Sequence, residues 1–138
     1  MSDVVPFNEK IAHNMDFLST KPYAKFVEGD EEFNWTWGDL RSHCNWVVEK
    51  LKSVERGVAL IFLRGMREMH CAFFGCMLSG MVPSFMPCTS EKQDPGIYWK
   101  SHSSLLDHIS PVAIITTSDV HGEMLAAGLD LRNTNVIE

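Results

Sequence analysis

The sequence contains no apolar run approaching the ~20 residues needed to span a bilayer, and its opening, MSDVVPFNEK, lacks the basic start and apolar stretch of a secretory leader. A soluble, cytoplasmic protein with no membrane span is the expectation. Basic residues are scarce too, with 12 Lys and Arg against 18 Asp and Glu and a formal net charge of -6. Neutralising a phosphate backbone takes a clustered excess of cations, so nucleic acid is excluded as a partner. The closest metal-ligand spacings are also missing, although Cys71 and Cys76 stand five apart on an expected helix. None of the four cysteines (Cys44, Cys71, Cys76, Cys88) or six histidines falls in a C-x2-C or H-x3-H spacing. The cysteines therefore read as small buried hydrophobes, and no metal is expected. The phosphate-cradling patterns GxxxxGKS/T and GxGxxG do not occur, and no internal repeat or low-complexity segment stands out.

What is present is 138 residues, 45% of them hydrophobic, enough for one domain with a core and too few for two. Residues 1–138 are therefore read as a single domain. Residues 8–19 place Ile11, Met15 and Leu18 at helical spacing before Pro22 interrupts. YAKFVEGDEEFNWTW reads as two extended runs around the acidic turn Glu28-Gly29-Asp30-Glu31, a hairpin expected at a sheet edge. From residue 36 to 51, Trp37, Leu40, Cys44, Val47, Val48 and Leu51 recur at steps of three and four. Thr36 and Asp39 sign the start of that helix as a capping box. GVALIFL follows as an unbroken apolar run, the pattern of a parallel strand covered on both faces.

Residues 66–78 are again helical. In the next segment, CMLSGMVPSFMPC, Gly80 turns the chain out of the helix, Pro83 suits a strand start and Pro87 ends it. Cys76 and Cys88 bracket this turn without forming a site. An irregular TSEKQDPG precedes a helix over residues 97–109, a strand in VAIITT, a helix over 120–127 and a further strand beginning at NVIE. The order predicts an α/β fold: a mostly parallel sheet flanked by helices, with a small N-terminal β-hairpin.

In such sheets ligands bind beyond the carboxyl ends of the strands. After Leu63, Arg64 and Arg67 place two positive charges at a helix start, where backbone N–H groups also favour an anion. They are the candidate anion-binding residues. The same arginines read equally as structural or solvated. His102 and His108 lie six apart on one helix, His43 and His70 sit mid-helix, and no nucleophile is placed to use any of them. All four take ordinary roles. The acidic run at 28–32 reads as a solvated turn, and Trp35, Trp37 and Trp46 as core or edge cover. No catalytic residue is identified.

The run FNWTWGDLRSHCNWVVEKL resembles the first core motif of the AMP-forming adenylation superfamily, which includes acyl-CoA synthetases, fatty-acyl-AMP ligases and peptide-synthetase adenylation domains. The family's aromatic-flanked Thr-Tyr-x-Glu-Leu stands here as Thr36-Trp37-Gly38-Asp39-Leu40. Its second motif, a helix ending Leu-Lys-Ala-Gly and then a short strand through a proline, stands as Leu78-Ser79-Gly80-Met81-Val82-Pro83. GVALIFLRGMREMHCAFFG is similar to the family's intervening strand, turn and helix, with Arg64-Gly65 in place of the commoner Pro-Asn. SSLLDHISPVAIITT resembles the helix and strand that end in a buried Val-Ile-Thr.

The resemblance covers residues 20–120 and implies a partial, N-terminal piece of an adenylation-enzyme fold. It implies, for the parent, attack of a carboxylate on the α-phosphate of ATP, with magnesium, followed by acyl transfer to the thiol of CoA or a carrier protein. The family's phosphate loop, adenine-binding segments, hinge aspartate and C-terminal lysine are absent and would lie beyond Glu138. The chain alone is thus expected to be inactive and to bind no cofactor, with the remainder of the ligase chain as its partner or with self-association in its place. The alternatives are a stand-alone interaction module and a degenerate, Rossmann-like nucleotide-binding domain.

Overall fold

The chain begins, in the computed structural model that describes residues 4–138, with a helix, α1 (Phe7–Phe17), whose Ile11 and Met15 are buried. Two strands, β1 (Pro22–Glu28) and β2 (Glu31–Thr36), then pair antiparallel across a turn in which Gly29 takes φ 61°. Expected at the edge of the main sheet, this hairpin instead forms a two-stranded sheet of its own. Its apolar residues explain the difference: Phe26 and Tyr23 reach onto helices rather than onto another strand, Phe26 being buried and Tyr23 packing with Phe74.

Helix α2 (Trp37–Leu51) starts at the capping box read in the sequence. The Asp39 amide donates to Thr36 Oγ1 (3.1 Å) and the Thr36 amide donates to Asp39 Oδ2 (2.8 Å), satisfying two N–H groups that a helix start otherwise leaves free. Strand β3 (Val58–Ile61), helix α3 (Met66–Leu78), strand β4 (Val82–Phe85), helix α4 (Pro95–Ile109), strand β5 (Ala113–Ile115), helix α5 (Ser118–Ala126) and strand β6 (Asn135–Ile137) complete the chain. The four later strands form a parallel sheet in the order β4-β3-β5-β6.

The unbroken apolar run of β3 has its reason in this layering. Ala59 and Ile61 face a core built with Val47 and Leu51 of α2 and Ala72 and Cys76 of α3. Leu60 and Phe62 face the opposite core, with Trp99 and Leu106 of α4 and Val120 and Met124 of α5. A third cluster joins α1 to α2 through Ile11, Met15, Leu40 and Cys44. Gly75 lets α3 lie close on α2: a methyl group there would stand 2.6 Å from Val47 Cβ.

Helix α3 ends in a Schellman motif. The Met81 amide bonds Cys76 O (2.9 Å), the Gly80 amide bonds Met77 O (3.1 Å), and Gly80 takes φ 74°. Strand β4 is an edge, with the Val82 amide donating to Gly57, just before β3, and the Met86 amide to Ile61 at its end. Pro83 lies between those donors and faces the open side, so its missing N–H costs no ladder bond. Helix α4 begins earlier than expected, at Pro95 rather than residue 97. Asp94 caps it by accepting from the Ile97 amide (2.9 Å), and proline at the first helical position has no N–H to satisfy.

Candidate functional site

The carboxyl ends of β3 and β5 lie side by side, and the chain leaves β3 towards β4 on one side and returns to β5 on the other. A crevice at such a point is where open α/β sheets hold ligands. The strand ends are tied together: the Phe62 amide donates to Ile115 O (2.9 Å), and the buried Thr116 hydroxyl donates to Phe62 O (2.9 Å). Two clusters of polar side chains surround this point, one for each candidate arginine.

Arg64 leaves β3 on the α4–α5 side. Its guanidinium donates to Asp119 Oδ2 (3.2 Å) at the start of α5, and to the carbonyl (3.3 Å) and hydroxyl (3.2 Å) oxygens of Thr89 in the loop after β4. The Thr89 hydroxyl donates to Glu123 (3.0 Å), which also accepts from Trp99 Nε1 (3.0 Å). The Asp119 carboxyl is held below its ordinary range, first by a hydrogen bond from the Thr117 hydroxyl and further by its own helix-start amides and the Arg64 charge. Arg64 therefore joins three loops at the carboxyl end of the sheet.

Arg67 points the other way, onto the hairpin. Its Nε and Nη2 grip both oxygens of Glu28 at 2.9 and 2.8 Å, and its guanidinium carbon lies 3.6 Å from the centre of the Phe33 ring. The hydrogen bonds from Arg67 lower the Glu28 pKa and raise that of Arg67. A further tie joins the same elements, a 2.5 Å hydrogen bond between the Tyr23 hydroxyl and His70 Nδ1. The two arginines thus hold separate partners and do not converge. Each already faces a carboxylate, so an incoming anion has to displace Asp119 or Glu28 before it gains a cation.

Between α2, α3 and the end of β5 lies a cavity of about 490 Å3. Trp35, Trp46, Val47, Leu63, Ala72 and Ile115 give it apolar walls. Its polar lining comes from Ser42, His43, Arg67, Glu68, Thr116, Thr117 and Glu138, and Cys71 stands on the wall. The Trp35 indole stacks on the His43 imidazole, centroids 4.4 Å apart and planes 12° apart, which joins the hairpin to α2. Of these residues the sequence points to Arg67 for a site and to ordinary roles for Trp35, Trp46 and His43. The available signal was that His43 and Trp46, three apart on α2, lie off its buried stripe.

The cysteines behave as small apolar groups. Cys44 and Cys76 are fully buried, and burial pushes both thiols up to about 12. All four cysteines are free, and no cluster of three or more metal-ligating side chains occurs among the described residues. His102 bonds the Tyr98 carbonyl of its own helix at 2.8 Å.

No family model and no curated protein matches the sequence. Solved structures do. A fatty acid AMP ligase from Legionella pneumophila superposes on 94% of this chain with a TM-score of 0.68 and 19% identity. The McyG A-PCP structure complexed with phenylalanyl-adenylate superposes on 99% with a TM-score of 0.74 and 14% identity. The chain has the fold of a fragment of an AMP-forming adenylation enzyme. A benzoate CoA ligase from Burkholderia xenovorans LB400 matches over 96% of it, with a TM-score of 0.65 and 15% identity. The chain spans 22%, 22% and 25% of these three structures, so it corresponds to less than a third of each.

Within the adenylation fold the two sequence motifs do mechanical work. Thr36 and Asp39 close the start of α2, while the Trp37 and Gly38 amides bond Lys21 O (3.1 Å) and Ser19 O (2.9 Å), fixing the segment that leads into the hairpin. Leu78 to Pro83 turns α3 into β4. The loop after β3 lacks the features of a phosphate cradle. No glycine-rich loop follows β3, and the arginines there are engaged with Asp119 and Glu28.

Proposed function

We propose that this chain is the N-terminal part of an AMP-dependent ligase that activates a carboxylic acid, fatty or otherwise acyl, with ATP to an acyl-adenylate for transfer to a thiol. The observation that carries this reading is a single one: the adenylation fold extends over 94–99% of the chain in the neighbours described, two of which are an AMP ligase and a CoA ligase by name. ATP and magnesium belong to the parent enzyme, and the acceptor is CoA or a carrier protein. The remainder of the ligase chain is the partner. Support for such a partner comes from the edge strand β4, where Val82 is 62% and Phe85 45% exposed beside the ring of Phe73. An exposed strand edge carrying apolar side chains is open to pairing by a further segment.

The chain supplies no catalytic group on this reading. Arg64 and Arg67 are structural ties, the first between loops and the second between hairpin and α3. ATP–pyrophosphate exchange is the test, with fatty, aromatic and amino acids as substrates. The isolated chain is expected to give none, whereas the same segment joined to the rest of its ligase should exchange. Exchange by the 138-residue chain alone would refute the assignment of catalysis to the missing part.

A further inference from the structure

The cavity between α2, α3 and β5 has a chemistry that the adenylation reading does not use. Its volume of about 490 Å3 lies within the ~300–1,000 Å3 usual for small-molecule sites. Its hydroxyl donors are already spent: Ser42 on Gly38 O, Thr116 on Phe62 O and Thr117 on Asp119. The one Lys or Arg on its lining, Arg67, is held by both oxygens of Glu28 and covered by Phe33. Against this stand the carboxylates of Glu68, which has no ion-pair partner among the described residues, and Glu138, which bonds His121. The Glu68 carboxylate lies over Gly65, where a side chain would collide with it at 2.0 Å from the Cβ position. Aromatic faces come from Trp46, 48% exposed, and from the Trp35–His43 stack.

An apolar cavity with one unpaired carboxylate, π-faces and, among the described residues, no free guanidinium or ammonium group on its lining selects for positive charge. We propose that it binds an apolar amine, an aryl- or alkylammonium ion, with the apolar body against Trp35 and Trp46 and the ammonium group at Glu68. A carboxylic acid, an adenylate and a nucleotide are all disfavoured there, so the site is separate from the chemistry proposed for the parent and does not rest on it.

The test is a tryptophan-fluorescence titration of the 138-residue chain with phenylbutylamine and with phenylbutyrate, close in size and opposite in charge. The amine should saturate, with an affinity about tenfold above that of the carboxylate, the ratio that ~1.4 kcal/mol of charge discrimination gives. Glu68→Gln should bring the two affinities together. A readout on the unmutated chain is alkylation of the half-buried Cys71 on the cavity wall, which the amine should slow while leaving Cys88 unaffected. Equal or tighter binding of the carboxylate, failure of the amine to saturate in the millimolar range, or unprotected Cys71 would each overturn the proposal.

Discussion

Two glycine-to-alanine substitutions, identical in chemistry, should move stability in opposite directions. Gly122 lies inside α5 with nothing within 4 Å of where its Cβ would stand. Alanine there relieves the entropic cost of a helical glycine and should stabilise by about 0.5–1 kcal/mol. Gly75 lies inside α3, and the same gain of helix propensity is available to it. Its new methyl, however, would meet Val47 Cβ at 2.6 Å and Cγ1 at 2.7 Å. Val47 is buried at 3% exposure, and its branched side chain keeps essentially one rotamer in a helix, so relief requires α2 and α3 to move apart. Overpacking of this kind costs about 1–3 kcal/mol, and with so stiff a neighbour the upper half of that range applies. Subtracting the propensity gain leaves Gly75→Ala destabilised by roughly 1–2.5 kcal/mol. Urea denaturation followed by circular dichroism separates the cases. With a slope of about 1.5 kcal/mol/M, Gly122→Ala should raise the midpoint by about 0.5 M and Gly75→Ala lower it by about 1 M. The double substitution Gly75→Ala with Val47→Ala should lose less than the sum of its parts. A midpoint for Gly75→Ala at or above that of the unmutated chain would refute the close packing of α2 on α3.

Thr36→Ala removes the hydroxyl half of the capping box and should cost about 1 kcal/mol in the same denaturation experiment, with Thr36→Ser close to neutral. Burial lowers the His70 pKa, so the folded chain keeps this ring neutral at pH values where the unfolded chain protonates it. The unfolded state then binds more protons, and stability should fall as pH drops below about 6.5, the unperturbed histidine value. His70→Gln should flatten that slope. The lowered pKa values of Glu28, Asp39 and Asp119 act in a separate window: their contribution is present above the ordinary carboxylate range and is lost as pH falls below it.

The elements that were legible in the sequence are those whose signals are local. The turn from α3 into β4 was readable at Gly80 because the Schellman bonds span only residues 76–81. The parallel, doubly covered character of β3 was readable because alternate residues feed opposite cores, which leaves no polar position in the run. The start of α4 was signed by Asp94 and Pro95, yet the surrounding polar residues masked it as a loop. The hairpin's independence from the main sheet was not local: it depends on Glu28, Tyr23 and Phe26 meeting residues 67, 70 and 74, some forty residues later. Arg64 and Arg67 were adjacent candidates in sequence, but one precedes α3 and the other lies on its first turn, so the helix points them to opposite faces. The cavity was least legible of all, since β2, α2, α3 and β5 each contribute part of its wall.

The central position of β3 governs how this chain can be made. Its neighbours, β4 and β5, come later in the sequence, with Val58 pairing Val82 and Ala59 pairing Ala113. At a synthesis rate of roughly 5–20 residues per second, β3 waits on the order of 3–10 s for β5 after it is translated. Until β4 and then β5 have been made, VALIF lacks its sheet partners, and it is the kind of segment that recruits its own copies. Arg56 and Arg64 stand at either end of it, charges that act as gatekeepers against such pairing. Arg64 thus serves twice in the life of the molecule: first as a charge that keeps a nascent strand from aggregating, and afterwards as the tie that fastens the finished loops together.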